Sequence, residues 1–416
     1  MNVVFFLYFR VRTRKYKLKE LSNILLINGR IITHDRIIIA GQVYIEDGKI
    51  VDYGAGKIHI EAGTEVIDVQ NRFISPGFID IHIHGGGGYD FMDASVEAFL
   101  GVAETHIKYG TTSISPTTLT ADSDHLESVL EVYDKACQLN TKGANFLGLH
   151  LEGPYLAMSQ RGAQDPMYIR NPDYTEYSKI LSKSEQIVRW SAAPELPGAL
   201  EFGDYITKKG VIASFAHTEA LYDDIQIAFN HGFRLATHFY SAMLGVTRKN
   251  AHRYAGAIEA CYLIDDIDVE VIADGVHLPG PLLELIYKIK GTDRIILITD
   301  AMRAAGTLVD KSILGSIEGG MEVIVEDGVA KLPDRSAFAG SVATANLLVR
   351  NFLNLTKASL PEVIRMITVN PARIIGLDHI KGSIKKNFDA DIVVFDDNID
   401  IHMSIVAGEI RYIKID

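Results

Sequence analysis

Six residues capable of metal binding or acid–base chemistry stand at the ends of apolar, strand-like runs in this chain. They are four histidines and two carboxylates: His82, His84, His217, His238, Glu152 and Asp300. Imidazole and carboxylate groups are common ligands of catalytic metal ions, and a carboxylate beside such an ion can move protons. His82 and His84 are two residues apart on one predicted strand, so their side chains point to the same side and can bind one cation together. The set could fill one catalytic site or two neighbouring ones.

Each of these residues also has a purely structural interpretation. A single histidine at a strand end is usually hydrogen-bonded within the fold. Glu152 could be a salt-bridge partner, and Asp300 could cap a helix that starts near Met302. The prediction of a metal site therefore depends on the coincidence of all six residues at strand ends.

The middle of the chain, about residues 77–376, alternates apolar strand-like runs with longer segments of helical period. This pattern is typical of βα units around a parallel sheet. It favours a (β/α)₈ barrel over a doubly wound sheet, although the period by itself leaves both open. In a barrel the ends of the strands meet at one face, which would bring the six residues together. The candidate strands are Phe78–Ile83, Thr111–Ser115, Asn145–Leu151, Val211–Ala216, Arg234–Thr237, Val269–Ala273 and Arg294–Thr299.

Both ends of the chain have a different sequence pattern, which predicts short β-strands. Short apolar runs fill residues 23–75, where Asp47-Gly48 predicts a hairpin, and they return after Asp391. Residues 1–22 form a separate segment with an apolar run at Val3 to Phe9 followed by six basic residues. The run is too short to span a membrane and its charges are on the wrong side for a signal peptide. We expect a dispensable extension, with a membrane-surface tether as the alternative, and no membrane partner.

Composition excludes some classes of function. The chain has 41 Lys plus Arg against 53 Asp plus Glu, a net charge of -12, which would repel a nucleic-acid backbone. The markers of nucleotide-binding loops, G-x-G-x-x-G after a strand and G-x-x-x-x-G-K-[ST], are absent. The two cysteines, Cys137 and Cys261, are too few for a disulfide framework or a thiolate cage. We expect a cytoplasmic protein.

Several motifs together carry a family resemblance from about residue 23 to the C-terminus. The sequence resembles the N-acetylglucosamine-6-phosphate deacetylases, within the amidohydrolase superfamily. The H-x-H pair and the final Asp belong to the whole superfamily, whereas the motifs around Glu152 and His238 point to the sugar deacetylases. The matching segments are Pro76-Gly77-Phe78-Ile79-Asp80-Ile81-His82-Ile83-His84-Gly85, His150-Leu151-Glu152-Gly153-Pro154-Tyr155, Ala192-Ala193-Pro194-Glu195, Ala216-His217-Thr218, Thr237-His238-Phe239-Tyr240-Ser241-Ala242-Met243, Ala273-Asp274-Gly275-Val276-His277 and Thr299-Asp300-Ala301-Met302.

The resemblance implies a TIM barrel over residues 77–376 and a small β-sandwich domain built from residues 23–76 and 377–416. It also implies that Glu152, His217 and His238 are the primary metal ligands and that Asp300 is the acid and base. His82 and His84 match the members that hold a second metal. The expected cofactor is a divalent metal, zinc or iron, with one or two ions per subunit, and ligand type does not separate the two metals. The expected partner is a small-molecule amino sugar phosphate, bound by a homodimer.

The resemblance carries over less evenly to substrate contacts. Gln164 stands where many members have a histidine that contacts the substrate carbonyl. An amide can donate a hydrogen bond there but cannot carry charge, so a second metal would compensate. The family's phosphate-binding Arg, which reaches across the dimer, falls within the segment 248–253, where we favour Arg248 over Arg253. The implied contacts are Ala163, Gln164, Ser241, Ala242, Arg248, His277, Phe338, Ala339 and Gly340.

The predicted activity is hydrolysis of N-acetylglucosamine 6-phosphate to glucosamine 6-phosphate and acetate. Deacetylation of a related amino sugar phosphate, such as the galactosamine epimer, is the nearest alternative. A cyclic-amide or N-acyl amino acid hydrolase would commonly have a carboxylated lysine where this chain has Glu152. A catalytically silent sugar-phosphate sensor would have lost Asp300 or a metal ligand, and all of them are present.

Overall fold

The computed structural model of the protein describes residues 23–415. Residues 1–22, where the sequence predicts an extension, and residue 416 lie outside the described part. Within the described residues, no helix combines the length and apolar character that crossing a membrane requires.

Both ends of the chain build one mixed sheet. Its strands pair in the order β25-β24-β23-β5-β1-β2-β3, with β4 beside β1. The antiparallel pairing of β5 with β23 joins the two chain ends. Asp47 and Gly48 have φ of 47° and 76° between β2 and β3, which is the two-residue hairpin turn that the sequence predicts. The strands are β1 (Ile24–Ile32), β2 (Ile37–Glu46), β3 (Lys49–Gly54), β4 (Glu65–Asp68), β5 (Phe73–Pro76), β23 (Ile392–Phe395), β24 (Ile401–Val406) and β25 (Glu409–Ile413).

A parallel barrel forms the middle of the chain. Its strands pair in the order β6-β9-β11-β12-β13-β14-β17-β18, and the two-residue strand β10 (Asn145–Phe146) also pairs with β9. The backbone N–H of Asp300 donates to the carbonyl of His82 at 2.9 Å, which brings the last strand beside the first. The barrel strands are β6 (Phe78–Ile83), β9 (Thr111–Thr118), β11 (Leu149–Glu152), β12 (Ile187–Ala192), β13 (Ile212–Phe215), β14 (Phe233–Ala236), β17 (Asp268–Val271) and β18 (Ile295–Leu297).

Helices alternate with the barrel strands, as the period of the sequence predicts. Local sequence sets where they begin: the hydroxyl of Ser95 accepts from the N–H of Ala98 at 3.1 Å, which caps the first helix. The helices are α1 (Val96–His106), α2 (Ser123–Leu139), α3 (Tyr174–Lys183), α4 (Ala199–Lys208), α5 (Tyr222–Asn230), α6 (Ala257–Leu263), α7 (Gly280–Lys290), α8 (Ala345–Leu355), α9 (Leu360–Ile367) and α10 (Val369–Ile374).

Three smaller β elements lie on the loops of the barrel: one four-stranded sheet and two two-stranded hairpins, of which the first pairs β7 with β8. A four-stranded antiparallel sheet separates β18 from α8, and the sequence pattern does not anticipate it. A hairpin, β15 (Thr247–Lys249) with β16 (His252–Tyr254), carries the basic segment that follows Ala242. The remaining strands are β7 (Gly85–Gly86), β8 (Tyr89–Asp90), β19 (Lys311–Leu314), β20 (Met321–Glu326), β21 (Val329–Lys331) and β22 (Phe338–Ser341).

The expected fold class is a TIM barrel with a small β-sandwich domain from both chain ends, and the structure confirms the barrel and a sheet-rich domain built from both ends. One barrel strand, β12, is absent from the candidate strands of the sequence analysis. Its sequence, Ile-Val-Arg-Trp-Ser-Ala, is interrupted by Arg189, which reads as a solvated position. In the structure Arg189 is 1% exposed and paired inside the barrel, so the charge does not mark an exposed face.

Candidate metal centre

Strand ends deliver the candidate ligands to one mouth of the barrel. Glu152 is the last residue of β11, and His217, His238 and Asp300 follow β13, β14 and β18 within three residues. The backbone turns sharply at the last three, with φ of 45° at His217, 33° at His238 and 48° at Asp300. Non-glycine residues rarely adopt positive φ, and they do so where the surrounding structure holds them, often at functional sites.

His82 and His84 form one group with Asp300. Their Nε2 atoms are 3.3 Å apart, and the Asp300 carboxylate lies 3.4 Å from the first and 3.2 Å from the second. The other ring nitrogens face protein acceptors: Nδ1 of His82 is 3.1 Å from a Glu270 oxygen, and Nδ1 of His84 is 3.2 Å from the carbonyl of Thr117. Since a neutral imidazole has one N–H, donation from Nδ1 leaves the Nε2 lone pair free to bind a metal.

Glu152, His217 and His238 form the second group. Oε1 of Glu152 lies 3.0 Å from Nε2 of His238 and 3.5 Å from Nε2 of His217, and these two nitrogens are 3.2 Å apart. Nδ1 of His217 is 2.7 Å from the carbonyl of Gln160, so its Nε2 is also left as a lone pair. In both groups the ligand atoms lie within 4.8 Å of one another, and all six residues are buried.

The spacing of the imidazoles fits a metal ion. Two nitrogens bound tetrahedrally to zinc at 2.0–2.1 Å are about 3.3 Å from each other. The His82/His84 and His217/His238 pairs have separations of 3.3 Å and 3.2 Å between Nε2 atoms. Two facing lone pairs at that distance repel each other unless a cation or a proton lies between them. The donor set therefore suits a divalent ion in each group.

Glu152 connects the two groups. Its Oε2 is 3.4 Å from Nε2 of His84, and its Oε1 is 3.6 Å from Nε2 of His82. Gln164 holds this carboxylate in place, because its amide nitrogen donates to Oε2 at 2.9 Å. The amide oxygen of Gln164 accepts from the N–H and the hydroxyl of Thr120 at 2.9 Å and 3.0 Å. The carboxylate of Glu152 is thus positioned to bind an ion in either group.

The charges in this cluster reinforce one another. Burial alone would raise the pKa of Glu152, but His82 and hydrogen bonds from the other imidazoles lower it well below its usual value. Burial likewise opposes ionisation of Asp300, whose pKa is nevertheless lowered by His82 and His84. Burial disfavours the charged form of His84, yet hydrogen bonds to Asp300 and Glu152 raise its pKa to about 10. Both carboxylates are therefore ionised at neutral pH, as metal ligands must be.

A cavity of about 670 Å³ opens above the two groups. Most of the residues that the sequence analysis assigns to the substrate lie in its wall. His277 is fixed there by Asp274, whose carboxylate lies 2.6 Å from Nδ1, and its ring packs on Phe338 at 4.5 Å between centroids. The predicted contacts in the wall are Ala163, Gln164, Ser241, Ala242, His277, Phe338 and Gly340.

Two predicted substrate contacts are not in the cavity wall. Ala339 is fully buried behind its neighbours in β22. Arg248 is exposed on the β15–β16 hairpin and does not line the cavity of a single chain. Instead, Arg161 is the one lysine or arginine in the wall among residues 23–415. The sequence signal for Arg161 was its place in the segment Arg161-Gly162-Ala163-Gln164, of which only Ala163 and Gln164 were predicted to contact the substrate.

A buried ion pair beneath the ligands is a further feature that was not predicted from the sequence. Glu270 on β17 and Arg189 on β12 are paired inside the barrel, and both side chains are at most 1% exposed. Burial opposes ionisation of Glu270, but Arg189 and His82 lower its pKa to about 2. Asp80 is also buried, and its carboxylate accepts from the hydroxyl of Thr299 at 2.5 Å. The signal available in the sequence was a charged residue within each of these apolar strands.

The family model and the similar proteins that match this chain all belong to the amidohydrolases. Residues 73–413 match the model of the amidohydrolase family. The chain is 36% identical over 370 residues to an N-acetylglucosamine-6-phosphate deacetylase of Lysinibacillus sphaericus, covering 89% of this chain and 92% of that protein. It is 31% identical over 348 residues to an N-acetylgalactosamine-6-phosphate deacetylase of Escherichia coli O157:H7, covering 83% of this chain and 90% of that one.

A solved structure is similar over almost the whole chain. It is a mutant N-acetyl-D-glucosamine-6-phosphate deacetylase of Mycobacterium smegmatis in complex with N-acetyl-D-glucosamine-6-phosphate. The TM-score is 0.85 at 29% sequence identity, and the match covers 94% of this chain and 99% of that one.

Proposed function

The chain belongs to the amidohydrolase family, and we propose that it hydrolyses the acetamide of N-acetyl-D-glucosamine 6-phosphate. The products are D-glucosamine 6-phosphate and acetate. One observation carries the proposal: Glu152, His217, His238 and Asp300 converge at the floor of a cavity whose wall is built from the deacetylase motifs. The deacetylase relatives, which match over most of the chain, support the same reaction.

Glu152, His217 and His238 would hold one divalent ion, and His82 and His84 with Asp300 a second. When bound, such an ion lowers the pKa of water toward about 7 and polarises an amide carbonyl. Zinc or iron is proposed, with one or two ions per subunit, because imidazole and carboxylate ligands suit both metals.

Asp300 is the group that moves protons. Its pKa is lowered by His82 and His84 against the effect of burial, and it lines the cavity, so it can accept a proton from the attacking water. The oxygen of that water adds to the acetamide carbon, and the C–N bond breaks. Asp300 then returns the proton to the sugar nitrogen, which would otherwise be a poor leaving group.

His277 would orient the sugar. Asp274 engages its Nδ1 at 2.6 Å and also accepts from the backbone N–H groups of residues 276 and 277 at 2.8 Å. The ring is held rigidly, and its Nε2 is left for a substrate in the cavity. Ser241 and Ala242 offer further polar backbone on the same wall, where φ of Ala242 is 52°. Contacts held by rigid neighbours position a substrate well.

Two cations are proposed for the phosphate. Arg161 lies in the cavity wall, and a net charge of -12 means that an anionic substrate needs such a local cation. Arg248 would reach the phosphate from the exposed hairpin of a second subunit, with Arg253 as the other residue in that segment. This part of the proposal includes a homodimer. A cytoplasmic location is also proposed, since two cysteines are too few for the disulfide framework typical of secreted proteins.

Deacetylation of N-acetylgalactosamine 6-phosphate is a second candidate. A relative with that name is 31% identical over 83% of this chain, and the two sugars differ at one hydroxyl. A hydrolase with a carboxylated lysine between its metals is disfavoured, because Glu152 occupies that place and no lysine lines the cavity among residues 23–415.

The test is acetate release from four sugars side by side: the glucosamine and galactosamine epimers, each with and without the 6-phosphate. The expected result is that N-acetylglucosamine 6-phosphate has the highest kcat/KM and that Asp300→Asn abolishes most of it. Equal rates with and without phosphate would reject the phosphate assignment. A preference for the galactosamine epimer would select the second candidate, and no acetate from any sugar would reject the deacetylase.

A further inference from the structure

The interior of the barrel below the candidate metal centre is polar. Nη2 of Arg189 lies 3.0 Å from Oε2 of Glu270, and a second, shorter contact joins Nη1 to Oε1. The guanidinium also donates to the hydroxyls of Ser214 at 2.9 Å and Thr237 at 2.7 Å. A buried ion pair rarely adds stability over an apolar pair of the same size, so its presence invites another explanation.

Glu270 contacts residues of both ligand groups. Its Oε2 is 3.1 Å from Nδ1 of His82 and accepts from the backbone N–H of His238 at 3.2 Å. Arg189 holds this carboxylate from the opposite side, which fixes the position of Oε2. One oxygen atom is therefore shared between a histidine of the first group and the backbone of a histidine of the second.

His82 differs from His84 and His217 in the acceptor that its Nδ1 faces. Nδ1 of His84 and Nδ1 of His217 face the backbone carbonyls of Thr117 and Gln160, which every substitution retains. Nδ1 of His82 faces a side chain. A carboxylate beside a ligating histidine fixes the ring and its tautomer and raises the basicity of the other nitrogen.

We propose that Glu270, held by Arg189, is the positioning residue that makes the His82, His84 and Asp300 group a metal-binding position. The inference rests on the proposed metal-dependent function. Glu270 acts through His82: by accepting from Nδ1 it turns the Nε2 lone pair toward His84 and Asp300. Removing this acceptor frees the ring to adopt the other tautomer, in which Nε2 carries hydrogen and cannot bind an ion.

The test uses the double variant Arg189→Met/Glu270→Met, which removes both buried charges together and so avoids leaving one unpaired. Its matched control is Arg373→Met/Asp268→Met. Asp268 lies on the same strand as Glu270, is 3% exposed and pairs with Arg373 at 2.6 Å, but it is not bonded to a metal ligand. Metal per chain is measured by mass spectrometry after equilibration with graded free Zn²⁺, and thermal melts compare the folding of both variants.

The expected result is that wild type and control bind two Zn²⁺ per chain, whereas the double variant binds the weaker one with a Kd about 10- to 100-fold higher. An unchanged Kd in the folded double variant would overturn the inference while leaving the proposed function intact. A single Zn²⁺ in wild type, retained in His82→Gln, would also overturn it. If wild type binds no Zn²⁺ or Fe²⁺ at all, both this inference and the proposed metal-dependent function are rejected.

A second measurement covers the case in which the double variant does not fold. Long-range proton–nitrogen spectra of wild-type protein with ¹⁵N-labelled histidine report which ring nitrogen carries hydrogen. The His82 signals are assigned by their loss in His82→Gln. We expect hydrogen on Nδ1 of His82 in the metal-free protein, whether or not Nε2 also carries one. An Nδ1 without hydrogen would refute the proposed role of Glu270.

Discussion

Replacing Arg161 should weaken recognition of the phosphate selectively. Arg161 lies in the cavity wall but is itself exposed, so water screens it. A hydrogen bond to a charged group contributes about 1.5–3 kcal/mol when shielded and an exposed ion pair about 0–1 kcal/mol. An intermediate loss of about 1–2 kcal/mol corresponds to a decrease of about 5- to 30-fold in kcat/KM. The loss should appear in KM, because the phosphate is remote from the acetamide and is bound equally in the ground and transition states.

The assay is steady-state acetate release by wild type and Arg161→Met with N-acetylglucosamine and its 6-phosphate. The unphosphorylated sugar should change by less than about 2-fold, and the effect on the phosphorylated one should shrink at high salt. Arg248→Met is the comparison variant, whose loss should depend on protein concentration if a second subunit supplies that residue. An equal loss with both sugars would refute the reasoning, because Arg161 would then act through the shape of its loop.

Three further outcomes are expected. Asp300→Asn should lower kcat by about 10²- to 10⁴-fold because an amide cannot accept the proton, and near-normal turnover would remove Asp300 from the mechanism. Dialysis against a chelator should lower Tm, since an ion at 100 times its Kd stabilises the fold by about 2.7 kcal/mol, and added Zn²⁺ should restore it; an unchanged melt would count against a bound ion. Lys381→Met should lower the free energy of unfolding by about 3–5 kcal/mol in urea at pH 7, because it leaves Asp391 and Asp389 without the buried ammonium 2.5 Å and 2.9 Å away. Burial alone would raise the pKa of Asp389, but Lys381 lowers it below its ordinary 3.8. The difference in unfolding free energy between wild type and Lys381→Met should therefore be fully present above pH 3.8 and shrink as the pH falls further. A constant difference down to pH 3 would contradict the assignment.

The sequence pattern predicted most of the barrel strands and favoured a barrel, and the family resemblance implied a barrel of the TIM type. Apolar runs such as Phe78–Ile83 and the helical periods between them are local features, so they are readable without knowing the fold. It failed at β12 and at the sheet formed by β19 to β22. At β12, Arg189 breaks the apolar run, and only its pairing with a residue 81 positions away makes the charge compatible with a buried strand.

The candidate ligands were also predictable, because a parallel barrel places all of its strand ends at one mouth. His82, His84, Glu152, His217, His238 and Asp300 needed only a position after a strand and the right side chain. The residues alone left their grouping open, and the family resemblance implied two metal positions with Asp300 only as the acid and base. The structure places Asp300 with the His82/His84 pair and Glu152 between the two groups, and it turns the amide of Gln164 onto Glu152.

The sequence by itself determined which residues could do chemistry, since residue type and strand position are local properties. Only the tertiary structure decided which of them act together and what holds them. Arg189, Glu270 and His82 lie on three different strands, and they meet because the sheet closes on itself. Hydrogen bonds form only over about 3 Å. Closure of the barrel brings these side chains within that distance, and the order of residues along the chain does not reveal it.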